Sequence, residues 1–389
     1  MRILHTSDWH LGRSFHREGM LTHQAAHLDH LLEVVERESV DLVVVSGDVY
    51  DRALPPVDAV QLANETFTRL ARSRAQVVVT SGNHDSAQRL GFGADLIDTA
   101  GVFLRTRADG VGRPVTVTDD HGPVHVYGLP YLDPDAMKAA WQLPVRSHEA
   151  TLAEAMRRVR ADLAVRGGRS VVLAHAFVAD VDRPPEASDS ERDISVGGIS
   201  LASASLFDDI DYTALGHLHG RHTLRDSVRY SGSPLAYSFS EADQVKGAWL
   251  VDLGPHRLQT CEFVAAPVPR PLARVRGCLD DLLADPALTR HEGSWLQATL
   301  TDDVRPTQPM ERLRRRFPHT LLLAFEPSTP PADAAVATDV RGRSDHDITL
   351  DFVQAVRGTP ANADEAALLQ AACDACCDDP DLDLAEVLA

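Results

Sequence analysis

The sequence predicts an α/β fold over residues 1–265, because apolar runs typical of buried strands alternate with stretches whose apolar residues recur at helical spacing. The strand-like runs are Arg2–His5, Leu42–Val45, Val77–Thr80, Val171–Ala174 and Tyr212–Leu215. The helix-like stretches are Ala25–Glu38, 57–72 and 149–166. A second observation supports this fold class: polar residues follow each run, as expected where parallel strands end at the edge of a sheet.

Short strands dominate the chain after Tyr212 and predict a second sheet packed on the first. They are Arg229–Ser231, Lys246–Leu253 and Leu258–Val264. Three prolines between residues 267 and 271 mark a boundary. Residues 272–326 then read strand, helix, strand, helix, strand, which predicts a small α+β domain.

The last part of the chain predicts a linker and two short amphipathic helices. Residues 327–344 are rich in Pro, Ala, Ser and Thr, as linkers are. The apolar residues of the two helices are Ile348, Leu350, Phe352, Val353 and Val356, then Ala366, Leu368, Leu369 and Ala372. We therefore expect a main domain at 1–266, the α+β domain at 267–326, the linker at 327–344 and C-terminal helices at 345–389.

Composition narrows the classes of protein to consider. The chain has 389 residues, of which 44% are hydrophobic, enough for a packed core. Long apolar runs are missing and residues 1–8 already read as a strand, so we expect neither a membrane span nor a signal peptide. The five cysteines lie away from the polar strand ends, which favours a reducing cytoplasm over a disulfide framework.

Seven residues of the metal-ligand type follow the strand-like runs, in the strings SDWH, SGDVYD, SGNHD, LAH and GHLH. They are Asp8, His10, Asp48, Asn83, His175, His217 and His219. Since the ends of parallel strands meet at one edge, we expect these side chains to converge. Carboxylate, amide and imidazole ligands without thiolate suit Mn, Fe or Zn and suit Ca poorly. Two-metal centres of this kind hydrolyse phosphate esters.

The spacing within the strings suggests individual roles. Asp8 and His10 alternate across one residue, so extended backbone would direct both to one face and Trp9 into the core. Asp48 can bridge two ions with its two oxygens, and Gly47 lets the backbone pass close to the centre. Asp8 and His10 together can hold one metal ion.

His84 and Asp85 follow Asn83 and are not needed to complete the ligand sets. A histidine near neutral pKa can protonate a leaving oxygen, so His84 is a candidate catalytic residue. A hydrogen bond between His84 and the Asp85 carboxylate is the alternative role for this histidine. Asp85 is expected to orient a neighbour rather than to bind metal.

The ordered strings resemble the calcineurin-like metallophosphoesterase family, whose pattern is D-x-H, G-D, G-N-H-D, a later H and G-H-x-H. Within it they are similar to the SbcD-like subunits of bacterial DNA-repair nucleases. That similarity is carried by MRILHTSDWHLG, VSGDVYDRALPP, SGNHDS, ISVGG, YTALGHLHG and VRYSGSPLAYSFSE. The resemblance covers residues 1–265 strongly. It implies a two-sheet α/β sandwich followed by a small α+β capping domain and C-terminal helices.

The resemblance also implies which residues hold two divalent ions, usually manganese. One ion would be held by Asp8, His10, Asp48 and His219. The other would be held by Asp48, Asn83, His175 and His217. His84 matches the catalytic histidine of the family, and Asp51 stands where archaeal and eukaryotic relatives carry a helper histidine, which leaves the role of Asp51 open.

By resemblance, we expect a manganese-dependent DNA exonuclease and endonuclease that works with an SbcC-like coiled-coil ATPase on double-strand ends and hairpins, near the nucleoid. The same centre could cleave a small phosphodiester or nucleotide without an ATPase, and an inactive scaffold for an ATPase is a third interpretation. The net charge is −19, and residues 327–389 hold 13 acidic and 3 basic residues. We therefore expect weak DNA binding by the chain alone and phosphate contacts from the partner.

Two further interactions are expected. The resemblance implies a homodimer, and Ser86–Asp98 carries more apolar side chains than an exposed helix needs: Leu90, Phe92, Leu96 and Ile97. Packing on the sheet is the alternative for this stretch. The C-terminal helices are expected to dock on the ATPase. We interpret Cys373, Cys376 and Cys377 as part of a helix rather than a zinc site, and Asp378–Asp383 as a solvated acidic end.

Overall fold

The computed structural model describes residues 1–180, 188–191, 201–328 and 343–377. Its strands are β1 Arg2–Thr6, β2 Ser14–Phe15, β3 Glu18–Gly19, β4 Leu42–Ser46, β5 Gln76–Thr80, β6 Val102–Leu104, β7 Val115–Asp119, β8 Gly122–Leu129, β9 Arg169–His175, β10 Val178–Ala179, β11 Ala202–Ser203, β12 Tyr212–Gly216, β13 His222–Arg225, β14 Val228–Tyr230, β15 Gly247–Leu253, β16 Leu258–Ala265, β17 Leu272–Gly277, β18 Trp295–Leu300 and β19 Thr320–Phe325. Its α-helices are α1 Leu21–Arg37, α2 Val57–Arg72, α3 Ala87–Leu90, α4 Ala94–Ile97, α5 Pro134–Ala140, α6 His148–Arg166, α7 Leu279–Ala284, α8 Pro309–Arg316, α9 Asp345–Arg357 and α10 Ala363–Cys377.

Two six-stranded mixed sheets form the main body of the chain. The first has the order β16-β15-β1-β4-β5-β6, and the second has the order β13-β14-β12-β9-β8-β7. In the first sheet β1, β4, β5 and β6 are parallel and β15 and β16 are antiparallel additions. In the second, β8, β9, β12 and β14 are parallel, flanked by the antiparallel β7 and β13. The parallel strands lie in the middle of each sheet.

Alternating side chains of the central strands enter two different cores. Ile3 and Val44 pack between the two sheets with Val126 and Val171, whereas Leu4 and its neighbours pack outward against the helices α1 and α2. The outward face of the second sheet packs in the same way against α6. Each fully buried Val or Leu side chain contributes roughly 1.5–3 kcal/mol of transfer free energy. The predicted two-sheet α/β sandwich is confirmed, with a helix layer outside each sheet.

The predicted assignment of strands to sheets was wrong in two respects. The segments predicted as Lys246–Leu253 and Leu258–Val264 form β15 and β16, which extend the first sheet rather than build the second. The strands that precede the candidate ligands also divide between the sheets, since β1, β4 and β5 belong to the first and β9 and β12 to the second. Strand pairing joins residues far apart in sequence, so local patterns do not reveal it.

The elements of residues 272–326 follow the predicted order as β17, α7, β18, α8 and β19, and the three strands form one sheet with β18 in the centre. By contact density the chain divides into two compact units. One comprises Met1–Val275, Leu283–Ala298 and Met310–Leu323, and the other comprises Arg276–Leu282, Thr299–Pro309 and Ala324–Ala389. The proposed domain boundaries at 266, 326 and 344 therefore stay predictions.

The second unit contains the two predicted C-terminal helices, α9 and α10. The Ser344 hydroxyl caps the start of α9, and Arg357 at its end forms an ion pair with Glu365 of α10. Residues 329–342 of the expected linker, the ISVGG string and the acidic end after Cys377 lie outside the described residues, as do the side chains of Cys376 and Cys377. Across the described ranges, none of the helices has the length and apolar character that a membrane crossing requires.

Candidate metal centre

Six of the seven candidate ligands lie in the loops that directly follow central strands of the two sheets, and His175 is the last residue of β9. The backbone N–H of Asp8 donates to the Gly47 carbonyl at 3.0 Å, and that of His10 donates to the Asp48 carbonyl at 2.9 Å. These bonds hold the loops after β1 and β4 side by side. Asp8, His10 and Asp48 adopt φ values of 54°, 46° and 52°, in the left-handed region. Non-glycine residues are held there at an energetic cost, a feature that clusters at functional sites.

This backbone geometry corrects the reason given for the pairing of Asp8 with His10. The two residues were expected to share a face because the backbone was taken as extended, but β1 ends at Thr6 and both residues have positive φ. The conclusion nevertheless agrees with the structure, because both side chains are fully buried in the same cluster. Trp9 packs into the core, as predicted, and donates its indole N–H to the Thr6 hydroxyl at 3.0 Å.

Two glycines allow the loops to approach each other closely. Gly47 has a φ of +84°, and a Cβ atom on it would lie 2.4 Å from Nδ1 of His175. A Cβ atom on Gly82 would lie 2.1 Å from Oδ1 of Asp48. Both positions therefore exclude a side chain, which agrees with the role expected for Gly47.

One group of donors consists of Asp8, His10 and His219, whose ligand atoms lie within 4.8 Å of one another. Nε2 of His10 is 3.0 Å from Nε2 of His219 and 3.6 Å from Oδ2 of Asp48. The carboxylate of Asp8 also accepts the backbone N–H of His217 at 3.1 Å. This group can hold one cation, with Asp48 at its border.

The second group of donors surrounds Asn83. Its side-chain Oδ1 is 2.9 Å from Nε2 of His175 and 3.3 Å from Nδ1 of His217. Oδ2 of Asp48 lies 3.5 Å from the same His175 nitrogen. Asp48 therefore lies between the two groups, as expected of a carboxylate that bridges two ions. The structure brings all seven sequence-predicted candidates together.

Burial and charge make this donor set suitable for divalent cations. Burial lowers the pKa of His10 and of His217, so both imidazoles are neutral and can offer a lone pair. Burial, with the Asp48 charge, raises the pKa of Asp8 to about 8, and a bound cation would favour its ionised form. Burial also opposes the charge on His175, but the Asp48 carboxylate outweighs it and raises that pKa to about 9. Metal binding at His175 would therefore release a proton.

His84 lies beside the donors with its ring held in a defined orientation. Its Nδ1 is 2.7 Å from the Asp51 carbonyl, to which it donates, and its backbone N–H donates to Oδ1 of Asp48 at 2.9 Å. Its ring centroid is 4.7 Å from that of His10. With Nδ1 engaged, Nε2 is the nitrogen that can exchange a proton.

Asp51 and Asp85 support the loops around the ligands. The Asp51 carboxylate lies 3.6 Å from Nδ1 of His10 and 3.5 Å from the guanidinium of Arg13. Asp85 accepts backbone N–H groups from Val49, Tyr50 and Gly82 at 2.9–3.1 Å, which joins the loops after β4 and β5. Burial raises the pKa of Asp85 to about 7. Its contacts agree with the expectation that it orients its neighbours.

Sequence reasoning missed the polar residues that surround His219. Ser190, Glu191, Glu241 and Lys246 contact this histidine directly or through each other. Ser190 and Glu191 are adjacent, whereas Glu241 and Lys246 lie much later in the chain, and no recognisable spacing connects them. The available signal was compositional, since Lys246 is one of only two lysines among 38 basic residues.

Comparisons with known proteins agree with this geometry. Residues 1–221, which include every candidate ligand, match the family described as "Calcineurin-like phosphoesterase". Residues 268–357 match the family described as "Type 5 capsule protein repressor C-terminal domain". The SbcD subunit of the nuclease SbcCD from Staphylococcus saprophyticus is 30% identical over 329 residues, covering 83% of this chain and 84% of that protein.

Two solved structures are more distantly similar. The protein TT1561 of Thermus thermophilus has a TM-score of 0.40 at 14% identity, covering 67% of this chain and 98% of its own. A novel archaeal phosphodiesterase has a TM-score of 0.28 at 10% identity, covering 68% and 100%. The matched family covers more than half of the chain, and the relative from Staphylococcus is similar over most of its length. The chain therefore belongs to the calcineurin-like phosphoesterase family, as a homologue of the SbcD subunit of the nuclease SbcCD.

Proposed function

We propose that this protein is the nuclease subunit of an SbcCD-like complex, hydrolysing DNA phosphodiester bonds as an exonuclease and endonuclease. The observation that carries the proposal is the pair of buried donor groups that share Asp48, in a chain whose relative is named a nuclease subunit. The name of the relative supports the proposed substrate, and the donor groups support the proposed reaction type.

The proposed ligand sets each combine one donor group with Asp48. The first set is Asp8, His10, Asp48 and His219. The second set is Asp48, Asn83, His175 and His217. The short distances between the imidazole, amide and carboxylate atoms within each group support this division. Mixed oxygen and nitrogen ligands without thiolate favour manganese over softer or larger ions.

Two such ions, held by these residues, would polarise the phosphoryl oxygens and would lower the pKa of an attacking water molecule. The residues of the chain have separate tasks. His84, held through Nδ1 by the Asp51 carbonyl, transfers a proton at Nε2 to the leaving 3′ oxygen. Asp85 keeps the loop of His84 and the loop of Asp48 in register through three backbone hydrogen bonds.

The C-terminal helices are proposed to dock on an SbcC-like ATPase with a long coiled coil. Phe352, Val356 and Leu368 are 65%, 70% and 72% exposed, so the second unit leaves these side chains in water. Two helices of this length are marginal by themselves, and a partner surface would cover them. We retain residues 1–266, 267–326, 327–344 and 345–389 as the proposed nuclease domain, capping domain, linker and docking helices, in a protein that works in the cytoplasm near the nucleoid.

The proposed homodimer uses a surface that differs from the sequence prediction in two residues, Leu90 and Ile97. Ile97 is half-buried and packs against the core of the first sheet. Leu90 was expected at the interface but is 6% exposed and packs in the core of the first sheet. Phe92 and Leu96 are 85% and 80% exposed. The guanidinium of Arg89 contacts the Ala53 carbonyl and so joins their segment to the loop before α2. Leu54 in that loop and Val57 at the start of α2 are also exposed. We assign this apolar surface to a second copy of the chain.

Nuclease assays with Mn²⁺ test the proposal. We expect cleavage of linear duplex and hairpin DNA that stops with a chelator and that an SbcC-like ATPase stimulates in the presence of ATP. A mononucleotide diester serves as the matched small substrate. Cleavage of that substrate alone, with or without the ATPase, would instead identify an enzyme for small phosphodiesters.

A further inference from the structure

A buried ion pair lies next to one of the proposed ligands. Lys246 is 8% exposed and Glu241 is 1% exposed, and the ammonium Nζ contacts Oε2 of the carboxylate. Nζ also donates to the Ser233 hydroxyl at 3.1 Å and to Oε1 of Gln244 at 2.8 Å. The other lysine of the chain, Lys138, is not buried. Lys246 therefore has a specific and fully bonded environment.

Both members of the pair contact His219. Nζ of Lys246 donates to the His219 backbone carbonyl at 2.7 Å. The Ser190 hydroxyl lies 2.5 Å from Nδ1 of the His219 ring and 2.5 Å from Oε1 of Glu241. The same carboxylate oxygen is 3.5 Å from Nδ1. The pair thus reaches the histidine through its ring and through its backbone.

These contacts determine which ring nitrogen carries the proton. An ionised Glu241 can only accept hydrogen bonds, so the Ser190 hydroxyl donates to it and accepts from Nδ1–H of His219. Nε2 then keeps its lone pair, and it is this nitrogen that lies 3.0 Å from Nε2 of His10 in the donor group. A hydrogen bond from the second nitrogen to a carboxylate fixes the ring and raises its basicity as a ligand.

Stability alone does not account for this arrangement. Removing two charges from water costs several kcal/mol per ion, and their attraction often does no more than compensate. Apolar side chains of similar volume can replace such a pair at little cost, whereas loss of one member leaves an unpaired buried charge. This ion pair also contacts the ring and the backbone carbonyl of one histidine, so it can orient that histidine as well.

We propose that Glu241 and Lys246 are positioning residues that fix the tautomer and the place of His219, and so set the metal affinity of the group formed by Asp8, His10 and His219. The proposal rests on the proposed function in one respect, namely that His219 is a ligand. The contacts of the pair lead to His219, so the group around Asn83 is expected to keep its affinity.

Three variants separate positioning from a structural role. Glu241→Met and Lys246→Met each leave a buried charge without its partner, so both are expected to lower the melting temperature. The double variant removes both charges and is expected to recover most of that loss. If the pair only stabilised the fold, the recovered double variant would also recover its metal binding. If the pair positions His219, its stability recovers and its metal binding does not.

The primary readout is the metal-free protein, studied by ¹⁵N NMR of the imidazoles, with His219→Gln identifying the resonances. Wild type is expected to show Nδ1–H for His219, and the double variant is expected to lose this bias. An equal mixture of tautomers in wild type, or an unchanged tautomer in the double variant, overturns the proposal. This measurement needs no metal, so it stands even if the proposed function fails.

The second readout is Mn²⁺ titration by calorimetry. We expect one of two sites to weaken by about 10–100-fold in the double variant, the range typical of lost partners behind a ligand. Wild-type affinity at both sites overturns the proposal, whereas a wild type that binds no Mn²⁺ contradicts the proposed function instead. Lys138→Met is the control for loss of the other lysine. A second control combines Asp119→Asn with Arg169→Met. It removes a different ion pair, in which the Arg169 guanidinium lies 2.5 Å from Oδ1 of Asp119, and we expect both metal sites to stay unchanged.

Discussion

The candidate metal centre and the C-terminal helices differ in the kind of side chain that each buries and exposes. At the centre, polar side chains that could face water are buried among each other, and six of the seven candidate ligands are at most 5% exposed. In α9 and α10, apolar side chains that could be buried are left in water, with Phe352 65% exposed. We expect cations to balance the buried charges of the first region, and we expect a protein surface to cover the exposed apolar side chains of the second. Each therefore indicates what kind of partner completes it.

The largest effect is expected for Asp48→Ala, because one carboxylate lies between the two donor groups. We expect loss of both ions and of all detectable nuclease activity. Elemental analysis of the purified variant measures the first, and Asp120→Ala, a change in the turn after β7, is the control. Retention of two metal equivalents would show that Asp48 does not bridge the two ions.

His84→Ala should separate chemistry from metal binding within the same region. The side chain lies outside both ligand sets, so metal content and DNA binding should stay near wild type. The rate should fall by about 10²–10⁴-fold, the range for a lost general acid. Single-turnover kinetics and metal analysis on one preparation provide the test. A parallel loss of metal and activity would make His84 a ligand.

The sequence predicted which side chains form the candidate metal site better than it predicted their backbone geometry or the exposure of nearby apolar residues. The ligand strings stand at strand ends, and this position predicted that Asp8, His10, Asp48 and the others converge. The strands divide between two sheets, so the convergence also depends on the packing of one sheet on the other, which local patterns do not reveal. The extended backbone expected at Asp8 and His10 was wrong. Both residues have positive φ values, and their backbone N–H groups bond to the carbonyls of Gly47 and Asp48, which are distant in sequence. The exposure of Leu90 was misjudged because it lies in a four-residue helix, which is too short to show periodicity.

Truncation after Pro327 tests the second region. The truncated chain should keep both metals and its basal nuclease activity but lose association with the ATPase and stimulation by ATP. A full-length chain with Phe352→Asp and Leu368→Asp should behave in the same way, since it removes apolar contacts without removing helices. Pull-down with the ATPase measures binding. Full affinity in either variant would place the docking surface elsewhere.

The smallest effect on stability is expected at the proposed dimer surface. Phe92→Asp with Leu96→Asp should give folded monomers, because both side chains are already exposed in the single chain. Light scattering gives the mass, and thermal unfolding shows that the fold is kept. Leu90→Asp should instead unfold the protein, because it buries a charge in the core. An unchanged dimer mass in the double variant would show that the interface does not include Phe92 and Leu96.

Anomalous diffraction at the manganese edge, on crystals grown with Mn²⁺, tests the central claim most directly. We expect two peaks about 3.5–4 Å apart, the usual spacing in two-metal sites. One peak should contact Asp8, His10 and His219, the other should contact Asn83, His175 and His217, and the Asp48 carboxylate should lie between them. A single peak, or two peaks that do not share Asp48, would contradict the account.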